Sequence, residues 1–376
     1  MKIEQFQMER MQSTWENVVE YNLSESGVHP LALKELLSEE ELQEILSIGL
    51  GYSQTNGTPE LRDRIVRLYP GASQDQILVT AGSSEANYLL MWSNLEPGDE
   101  VVFMMPNYMQ MWGLVRGFGA VLKPFWLKEE LGWAPDLDEL GKLISARTKL
   151  IIVTNPNNPT GAVLSPEAMS AIVANADRVG AWIVADEVYQ GAEREGPISP
   201  SFWGKTDRAV IVNGLSKAYG LPGVRIGWIV GPRDFIQKTW PYHDYTTISP
   251  SILSDHIARI ALFPGNRDKI LQRTGGIIRK NFPLIESWLG RQPDLFSCIP
   301  PRAGAIAYAR YHHELNSTEL VTRLIREKST LIVPGDHFAM DHYLRFGFGS
   351  EPEYLKQGLA RVEELFAELR SGTPSG

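Results

Sequence analysis

The sequence predicts an α/β protein built on a mostly parallel sheet with helices on both faces. Short runs rich in β-branched residues alternate with longer helical patterns through the middle of the chain, and glycine or proline marks several of the joins. Strands are predicted at residues 76–80, 100–104, 149–154, 182–185, 209–213 and 226–230, and helices at 84–94, 109–117, 136–144 and 166–179.

Beyond about residue 250 the alternation gives way to a long helical stretch over 251–289 and then to a smaller α+β region. Its strands are predicted at 304–310, 330–333 and 343–347. We therefore expect an N-terminal segment over 1–45 that packs with the small domain, a large domain over 46–265 and a small C-terminal domain over 266–376. The tail over 371–376 has a composition typical of disorder.

The composition excludes several classes of function. The 376 residues are 43% hydrophobic and carry a net charge of −9, which argues against broad nucleic-acid binding, since that requires a basic face. The single cysteine, Cys298, rules out an intrachain disulfide and a thiol-rich metal site. The polar start of the chain and the lack of an apolar run of about 18 residues predict a cytoplasmic protein that does not associate with membranes.

Three polar segments follow predicted strands. Residues 155–161 read Asn-Pro-Asn-Asn-Pro-Thr-Gly, which is more than a solvent-exposed turn requires. Asp186 and Tyr189 follow the next strand, and Lys217 follows the one after that, with Arg225 eight residues later. Because ligands of such sheets bind beyond the carboxyl ends of the strands, we expect these segments to meet at one site.

Taken together and in order, these segments resemble the class I/II aminotransferases, which are pyridoxal phosphate-dependent enzymes of fold type I. The resemblance spans nearly the whole chain and implies an aspartate aminotransferase-like fold, an amino-acid substrate and pyridoxal 5'-phosphate as the cofactor. It implies that Lys217 holds the cofactor as a Schiff base and later moves protons between substrate carbons. Asp186 would pair with the pyridinium nitrogen and keep it protonated, so that the ring accepts electrons.

The same resemblance assigns further contacts to the cofactor ring and to the substrate. Asn158 and Tyr189 would form hydrogen bonds with the ring hydroxyl, and Asn158 would also border the substrate. Tyr108 matches the aromatic residue that stacks on the ring, although an ordinary core tyrosine is the alternative. Arg345 matches the arginine that binds the substrate α-carboxylate through two parallel hydrogen bonds.

The cofactor phosphate requires hydrogen-bond donors and positive charge. Residues 82–86 lie where a strand turns into a helix, so that Ser83 and Ser84 are expected to present backbone N–H groups to an anion. Arg225 would add a fixed charge and Ser216 a hydroxyl group. The family often has a serine three residues before the lysine, whereas this chain has Gly214, so one phosphate ligand is expected to be missing or replaced.

A tyrosine near the N-terminus points to a homodimer. Tyr52 matches the tyrosine that family members lend to the phosphate of the partner subunit. If it has this role, the two active sites lie at the interface between two copies of the chain.

The N-terminal region departs from ordinary aminotransferases. Residues 26–29, Ser-Gly-Val-His, follow a first helix that contains tryptophan, and this element resembles capreomycidine synthase and related enzymes that cyclise hydroxylated arginine. A guanidinium group requires carboxylates, for which Glu9 and Glu25 are candidates. A departing hydroxyl requires a proton donor, and His29 or a glutamate has that capacity. The alternative is that Glu9 lies on a solvated helix face and His29 only caps or packs.

Three functions follow from these observations. The first is a pyridoxal phosphate-dependent cyclodehydratase of a hydroxylated L-arginine, which yields a cyclic arginine such as enduracididine or capreomycidine. The second is an L-amino acid:2-oxo acid aminotransferase, because the same cofactor chemistry serves both reactions. A third, a non-catalytic binding domain of this fold, is disfavoured because Lys217 is intact.

Overall fold

A computed structural model describes residues 2–371 of the chain. Residues 372–376, within the tail for which the sequence predicts disorder, lie outside the described residues. The strands in chain order are β1 (Tyr21–Asn22), β2 (Ile77–Thr80), β3 (Glu100–Met105), β4 (Val121–Lys128), β5 (Ala134–Pro135), β6 (Thr148–Thr154), β7 (Trp182–Asp186), β8 (Ala209–Gly214), β9 (Gly227–Val230), β10 (Phe296–Cys298), β11 (Ile306–Tyr311), β12 (Thr330–Leu331), β13 (Val333–Pro334) and β14 (Tyr343–Gly347).

Helices flank these strands along the whole chain. In chain order they are α1 (Gln7–Trp15), α2 (Leu33–Leu36), α3 (Glu39–Leu46), α4 (Pro59–Val66), α5 (Ser83–Asn94), α6 (Gln110–Gly117), α7 (Leu137–Leu143), α8 (Pro166–Val179), α9 (Arg233–His243), α10 (Ile252–Ala261), α11 (Pro264–Gly290), α12 (Ser317–Lys328) and α13 (Pro352–Ser371).

The main sheet has eight strands among the described residues, in the spatial order β2-β9-β8-β7-β6-β3-β4-β5. The neighbours from β8 to β4 run parallel, whereas β9 pairs antiparallel with both β2 and β8. The predicted α/β fold class is therefore confirmed. All six strands and four helices predicted before residue 231 are present, each with both bounds within one residue of the prediction.

The core lies on both faces of this sheet. Alternate residues of β3 point to opposite faces, so that Val102 and Met104 join one hydrophobic cluster while Val101 and Phe103 join the other. Helix α8 covers the first face with Met169 and other apolar residues. Helices α5, α6 and α9 cover the second face. The central strands are thus buried on both sides, which explains their continuous apolar sequences.

The structure differs from the sequence-based expectation at several points. The strand predicted over 330–333 is divided between β12 and β13, which belong to different sheets. The sequence did not predict β4, because Pro124 and three lysine or tryptophan positions interrupt its apolar pattern. The predicted helical stretch over 251–289 is two helices, since α10 ends at Ala261 and α11 begins at Pro264. Proline favours the first turn of a helix but cannot continue one from the preceding residues.

A second, antiparallel sheet has the order β10-β11-β14-β13, with α11, α12 and α13 packed nearby. The N-terminal strand β1 pairs in parallel with β12, with Tyr21 opposite Thr330. This pairing fixes the start of the chain against its C-terminal part. Across residues 2–371, no helix combines the length and apolar character needed to cross a membrane.

Candidate active site

A cavity of about 490 Å³ lies at the carboxyl ends of the parallel strands. The topology explains its position, because the loops after β3, β6, β7 and β8 all leave the sheet at this edge. The cavity gathers most of the predicted site residues. Those that line it are Glu9, Glu25, Ser83, Ser84, Tyr108, Asn158, Asp186, Tyr189, Ser216, Lys217, Arg225 and Arg345.

A buried carboxylate and a lysine line the same cavity. Asp186 is the last residue of β7 and is 4% exposed, and its Oδ1 accepts a hydrogen bond from the backbone N–H of Val188 (3.1 Å). Burial raises the pKa of Asp186 to about 6, and the Val188 N–H, the Lys217 charge and the Asn87 amide oppose this rise. A cation placed against this carboxylate would lower its pKa again and favour the ionised form.

Two other residues that line the cavity carry buried polar atoms without hydrogen-bond partners among residues 2–371. The phenol oxygen of Tyr189 is buried and has no hydrogen-bond partner among residues 2–371. Arg345, in β14, is 1% exposed, and its two terminal nitrogens donate to Asn158 Oδ1 (2.9 Å) and to the Ser24 carbonyl (2.6 Å). Its Nε is buried and finds no acceptor within the described chain. Because such groups are costly when unsatisfied, these atoms indicate a place for a polar ligand.

The N-terminus of α5 forms an anion site. Gly82 precedes this helix with φ +85°, and a Cβ at this position would lie 2.3 Å from Nη2 of Arg225. Arg225 itself has φ +51°, and its Nη1 donates to the Pro222 carbonyl (3.0 Å). The free backbone N–H groups of the first helical turn and a guanidinium group therefore lie side by side, as a phosphate requires.

The close packing of β8 against β9 explains why position 214 is a glycine, whereas the family often has a serine there. A Cβ on Gly214 would lie 2.9 Å from the Ile226 carbonyl, because Gly214 pairs with Gly227 in the sheet. A Cβ on Gly227 would in turn lie 2.4 Å from the backbone nitrogen of Ser83. A side chain at position 214 would separate β8 from β9, and the hydroxyl groups at this site belong instead to Ser83, Ser84 and Ser216.

Helix α1 closes the open side of the cavity. Its Glu9 carboxylate accepts a hydrogen bond from the phenol of Tyr108 (2.8 Å), and the ring of Phe6 meets the Tyr108 ring edge-on at 5.0 Å. Burial raises the pKa of Tyr108 well above its usual range, and the Glu9 charge adds to this effect. Tyr108 is thus held as a neutral phenol with its ring at the cavity.

Glu16 is a cavity residue that the sequence analysis missed. It directly follows α1 and is half-buried, and its pKa is raised by burial and by the neighbouring charges of Glu25 and Glu9. Gln12, one turn earlier, lines the same cavity and donates to the Ser24 carbonyl (3.1 Å). The spacing of positions 9, 12 and 16 places them on one face of a helix, a signal that was present in the sequence.

Two of the predicted site residues, His29 and Tyr52, do not line the cavity. The structure does not bring His29 to the cavity, because its ring is held by Arg273 Nη2 (3.0 Å) and Glu351 (3.2 Å) in a neighbouring cleft. Burial and the Arg273 charge lower the pKa of His29. Tyr52 is 86% exposed and lies at a separate surface recess.

These residues fit pyridoxal phosphate. The anion site at α5 suits the phosphate, the buried Asp186 carboxylate suits a protonated ring nitrogen, and the unsatisfied phenol of Tyr189 suits the ring hydroxyl. Lys217 lines the same cavity and would supply the amine. No group of three or more metal-ligating side chains occurs in the part of the chain that the structure covers.

Comparison with known proteins identifies the family. The model of the family "Aminotransferase class I and II" matches residues 22–362. The chain belongs to this family. Its members depend on pyridoxal phosphate, and the chain is a pyridoxal phosphate-dependent enzyme that acts on a small amino-acid substrate.

Within the family, the similar proteins include a capreomycidine synthase, a cyclase and aminotransferases. Capreomycidine synthase from Streptomyces vinaceus is 33% identical over 94% of this chain and 92% of its own length. The solved structure of a PLP-dependent aminotransferase from Streptococcus suis 89-1591 covers 100% of both chains with a TM-score of 0.92 and 32% identity. The solved structure of the PLP-dependent cyclase OrfR covers 98% of both chains with a TM-score of 0.89 and 26% identity.

Proposed function

We propose that the chain is a cyclodehydratase of a hydroxylated L-arginine. The side-chain hydroxyl leaves as water and a guanidine nitrogen bonds to the carbon chain, which gives a cyclic arginine. The similarity to capreomycidine synthase over 94% of the chain and the likeness to the cyclase OrfR support this proposal. The observation that carries it is the set of carboxylates at the open side of the cavity.

Three glutamates, Glu9, Glu16 and Glu25, line the cavity together with Arg345. Their mutual proximity is evident in Glu16, whose pKa rises through burial and through the charges of Glu25 and Glu9. Like charges held together are unfavourable unless a cation joins them. Arg345 offsets part of this repulsion, since burial lowers its pKa while the Glu25 and Glu9 charges among others act to raise it. A substrate whose α-carboxylate occupies Arg345 and whose side chain carries a guanidinium group would pair with both kinds of charge in this cavity.

The substrate is held by its two charged ends. Arg345 binds the α-carboxylate, since its Nε has no partner among the described residues and its terminal nitrogens are fixed by Asn158 and Ser24. Glu9 and Glu25 bind the guanidinium group. The substrate α-carbon then lies between these ends, on the side of the cavity that Lys217 lines.

The proton transfers fall to Lys217 and Glu16. When bound, pyridoxal phosphate supplies an aldehyde that joins an amine and a ring that accepts the electrons released at the α-carbon. The Nζ of Lys217 removes the α-proton and returns it later. Glu16, whose raised pKa favours the protonated form, gives a proton to the departing hydroxyl. His29 has no place in this scheme, because Arg273 and Glu351 hold its ring outside the cavity.

The position of the hydroxyl decides the ring. In 3-hydroxyarginine, attack at Cβ closes a six-membered, capreomycidine-type ring. In 4-hydroxyarginine, attack at Cγ closes a five-membered, enduracididine-type ring and requires removal of a proton from Cβ as well. In both cases one C–O bond breaks and one C–N bond forms, so that the product is the substrate minus one water.

Incubation with each hydroxyarginine tests the proposal. The holoenzyme is given 3-hydroxy- or 4-hydroxy-L-arginine without any keto acid, and the products are analysed by mass spectrometry. We expect loss of one water from one of the two, whereas L-arginine, which lacks the leaving group, should not lose water. If neither hydroxyarginine loses water, the proposal is wrong.

The second candidate is an L-amino acid:2-oxo acid aminotransferase. It is favoured by the full-length match to the Streptococcus suis PLP-dependent aminotransferase. It predicts that an amino acid alone converts the cofactor to the pyridoxamine form, with a shift of the visible band toward the near-ultraviolet. The three glutamates argue against acidic substrates, because a side-chain carboxylate would meet like charge there.

We also propose that the active unit is a homodimer. Tyr52 is 86% exposed, and Leu46 and Leu50 on the same segment are 78% and 80% exposed. A cluster of exposed apolar side chains of this kind is typical of a contact surface. In the dimer, Tyr52 reaches the phosphate site of the partner subunit.

A further inference from the structure

A carboxylate joins the helix turn at the anion site to the loop that follows α9. Glu85 lies in the first turn of α5, and its side chain is 9% exposed. Its Oε2 accepts a hydrogen bond from the backbone N–H of Ala81 (2.6 Å) and lies 3.3 Å from Nε2 of His243, the last residue of α9. Its Oε1 accepts from the hydroxyl group of Thr246 and from both the hydroxyl group (2.8 Å) and the N–H (3.2 Å) of Thr247.

A negative charge at this position requires an explanation. Glu85 directly follows Ser84, which lines the cavity at the turn that suits a phosphate, and two anions placed close together repel each other. Burial acts to raise the pKa of Glu85, but the hydrogen bonds that it accepts, the one from His243 foremost, lower this pKa to about 2. The position therefore carries a charge that opposes phosphate binding unless the carboxylate has a compensating role.

The contacts of Glu85 fix the backbone that a phosphate requires. The Ala81 N–H, which Glu85 accepts, directly precedes Gly82, the residue with φ +85° from which α5 starts. A Cβ on Gly82 would lie 2.3 Å from Nη2 of Arg225, so that this turn and the guanidinium group are in close contact. A displacement of the turn would move the free N–H groups of α5 away from the charge that completes the anion site. Glu85 holds the turn from behind, since it does not itself line the cavity.

The loop on the other side of Glu85 has a constrained backbone. Ile248 has φ +68°, a conformation that β-branched residues rarely adopt. Its N–H donates to the His243 carbonyl (3.1 Å), and Nε2 of His243 lies 3.0 Å from the Thr247 hydroxyl group. Such a conformation persists only where the surrounding contacts hold the backbone in place. The loop is thus a fixed partner for the carboxylate.

We propose that Glu85 is a positioning residue for the cofactor phosphate, whose carboxylate holds the turn before α5 against the loop after α9. The hydrogen bonds on its two oxygens connect these two segments, which lie about 160 positions apart in the sequence. This role rests on the assignment of the phosphate to the turn, and it does not depend on which reaction the enzyme catalyses.

Cofactor binding to the apoenzyme tests this inference. The dissociation constants of pyridoxal 5'-phosphate and of pyridoxal, which lacks the phosphate, are measured by fluorescence titration. Glu85→Gln preserves the shape of the side chain, but its single amide oxygen cannot serve the donors on both sides. We expect this variant to weaken binding of pyridoxal phosphate by about tenfold, the effect of losing one hydrogen bond to a charged group, and to leave binding of pyridoxal unchanged.

The matched control is Glu41→Gln, which should bind both compounds as the wild type does. Glu41 is another first-turn glutamate, on α3, and it accepts the backbone N–H of Ser38 (2.7 Å) away from the cavity. In Glu85→Gln, equal weakening for both compounds or no change for either would overturn the inference. Tighter binding of pyridoxal phosphate would do so as well, because it would mean that the charge of Glu85 only repels the phosphate.

Two further variants keep the test decisive. Should Glu85→Gln not fold, Thr247→Val retains the carboxylate but removes one of its donors, and we expect the same selective loss in smaller measure. Arg225→Gln tests the phosphate site itself. If it discriminates between the two compounds while the position 85 and 247 variants do not, the phosphate site stands and the role of Glu85 is wrong.

Discussion

Three glutamates of helix α1 and the segment after it line the cavity but differ in how far they are exposed to solvent. Glu9 and Glu25 are exposed at this side, whereas Glu16 is half-buried. An exposed carboxylate is accessible to a guanidinium group, while burial and the neighbouring charges of Glu25 and Glu9 raise the pKa of Glu16. Under the proposed function, the glutamates would therefore differ in role although they share one cavity.

We predict that Glu16→Gln lowers kcat for hydroxyarginine by about 10²-fold or more, the usual contribution of a general acid, with KM changed little. Glu9→Gln should instead raise KM, because it weakens the ion pair with the guanidinium group. Neither change should alter the absorbance of the bound cofactor. Steady-state kinetics measure kcat and KM of both variants, with Glu20→Gln, a change at an exposed glutamate, as the control. An unchanged kcat in Glu16→Gln would show that Glu16 takes no part in the reaction.

The buried side chain of Glu187 should make the stability of the folded protein depend on pH, independently of the reaction. It is fully buried, its Oε1 accepts from the Phe202 N–H (2.8 Å), and burial raises its pKa from 4.5 to about 8. Because the folded state holds this proton more tightly than the unfolded chain, the stabilisation is complete below pH 4.5 and is lost as the pH rises toward 8.

Glu187→Gln should remove this dependence. Relative to the variant, the free energy of unfolding of the wild type should fall by up to about 1.4 kcal/mol per pH unit across this range. Denaturant unfolding of both apoproteins at a series of pH values measures the difference. Parallel curves for the two proteins would contradict the expected titration.

At the scale of elements, the contact between β9 and the start of α5 sets the anion site. Gly227 allows the strand to touch the helix turn, since a Cβ there would lie 2.4 Å from the Ser83 nitrogen and 2.5 Å from the Gly82 carbonyl carbon. Both neighbours are backbone atoms, which cannot move aside as the end of a flexible side chain could. The strand and the helix must therefore separate if position 227 carries a side chain.

Gly227→Ala should accordingly displace the first turn of α5 and weaken pyridoxal phosphate binding by about tenfold or more, with a loss of about 1–3 kcal/mol in unfolding free energy from overpacking. Gly231→Ala, just beyond the other end of β9, is the matched control, because a Cβ there would meet only side chains at 3.4 Å or more. Cofactor titration and thermal melting measure both effects. Wild-type affinity in Gly227→Ala would show that the helix turn does not bind the phosphate.

On the scale of the whole molecule, the exposed Tyr52 and the half-buried Lys217 belong to separate recesses of one subunit. If two subunits share each active site, a hybrid dimer of Tyr52→Ala and Lys217→Ala subunits contains one site with both residues intact. We expect mixed, refolded subunits to exceed the summed activity of the two parents. Activity no greater than that sum would mean that Tyr52 does not act across the interface.

The sequence by itself determined the fold class and the edge of the sheet at which the polar segments meet, while its resemblance to the class I/II aminotransferases implied the cofactor. It did so because the carboxyl ends of parallel strands meet at one edge, so that polar residues after each apolar run must converge wherever the chain folds as a parallel sheet. The positions of Asp186, Asn158 and Lys217 followed from this pattern, whereas their roles toward the cofactor are what the family resemblance implies. The glycine at position 214 was visible as a departure, but its cause lay in the packing of β8 against β9.

Only the tertiary structure decided which residues of the N-terminal segment reach the cavity. Glu9 meets Tyr108 across 99 positions of sequence, and the Ser24 carbonyl meets Arg345 across 321. Periodicity shows which face of a helix is shared, but it does not show what that face packs against. For that reason Glu16 was overlooked and His29 was placed at the site, although Arg273 and Glu351 hold it in the neighbouring cleft.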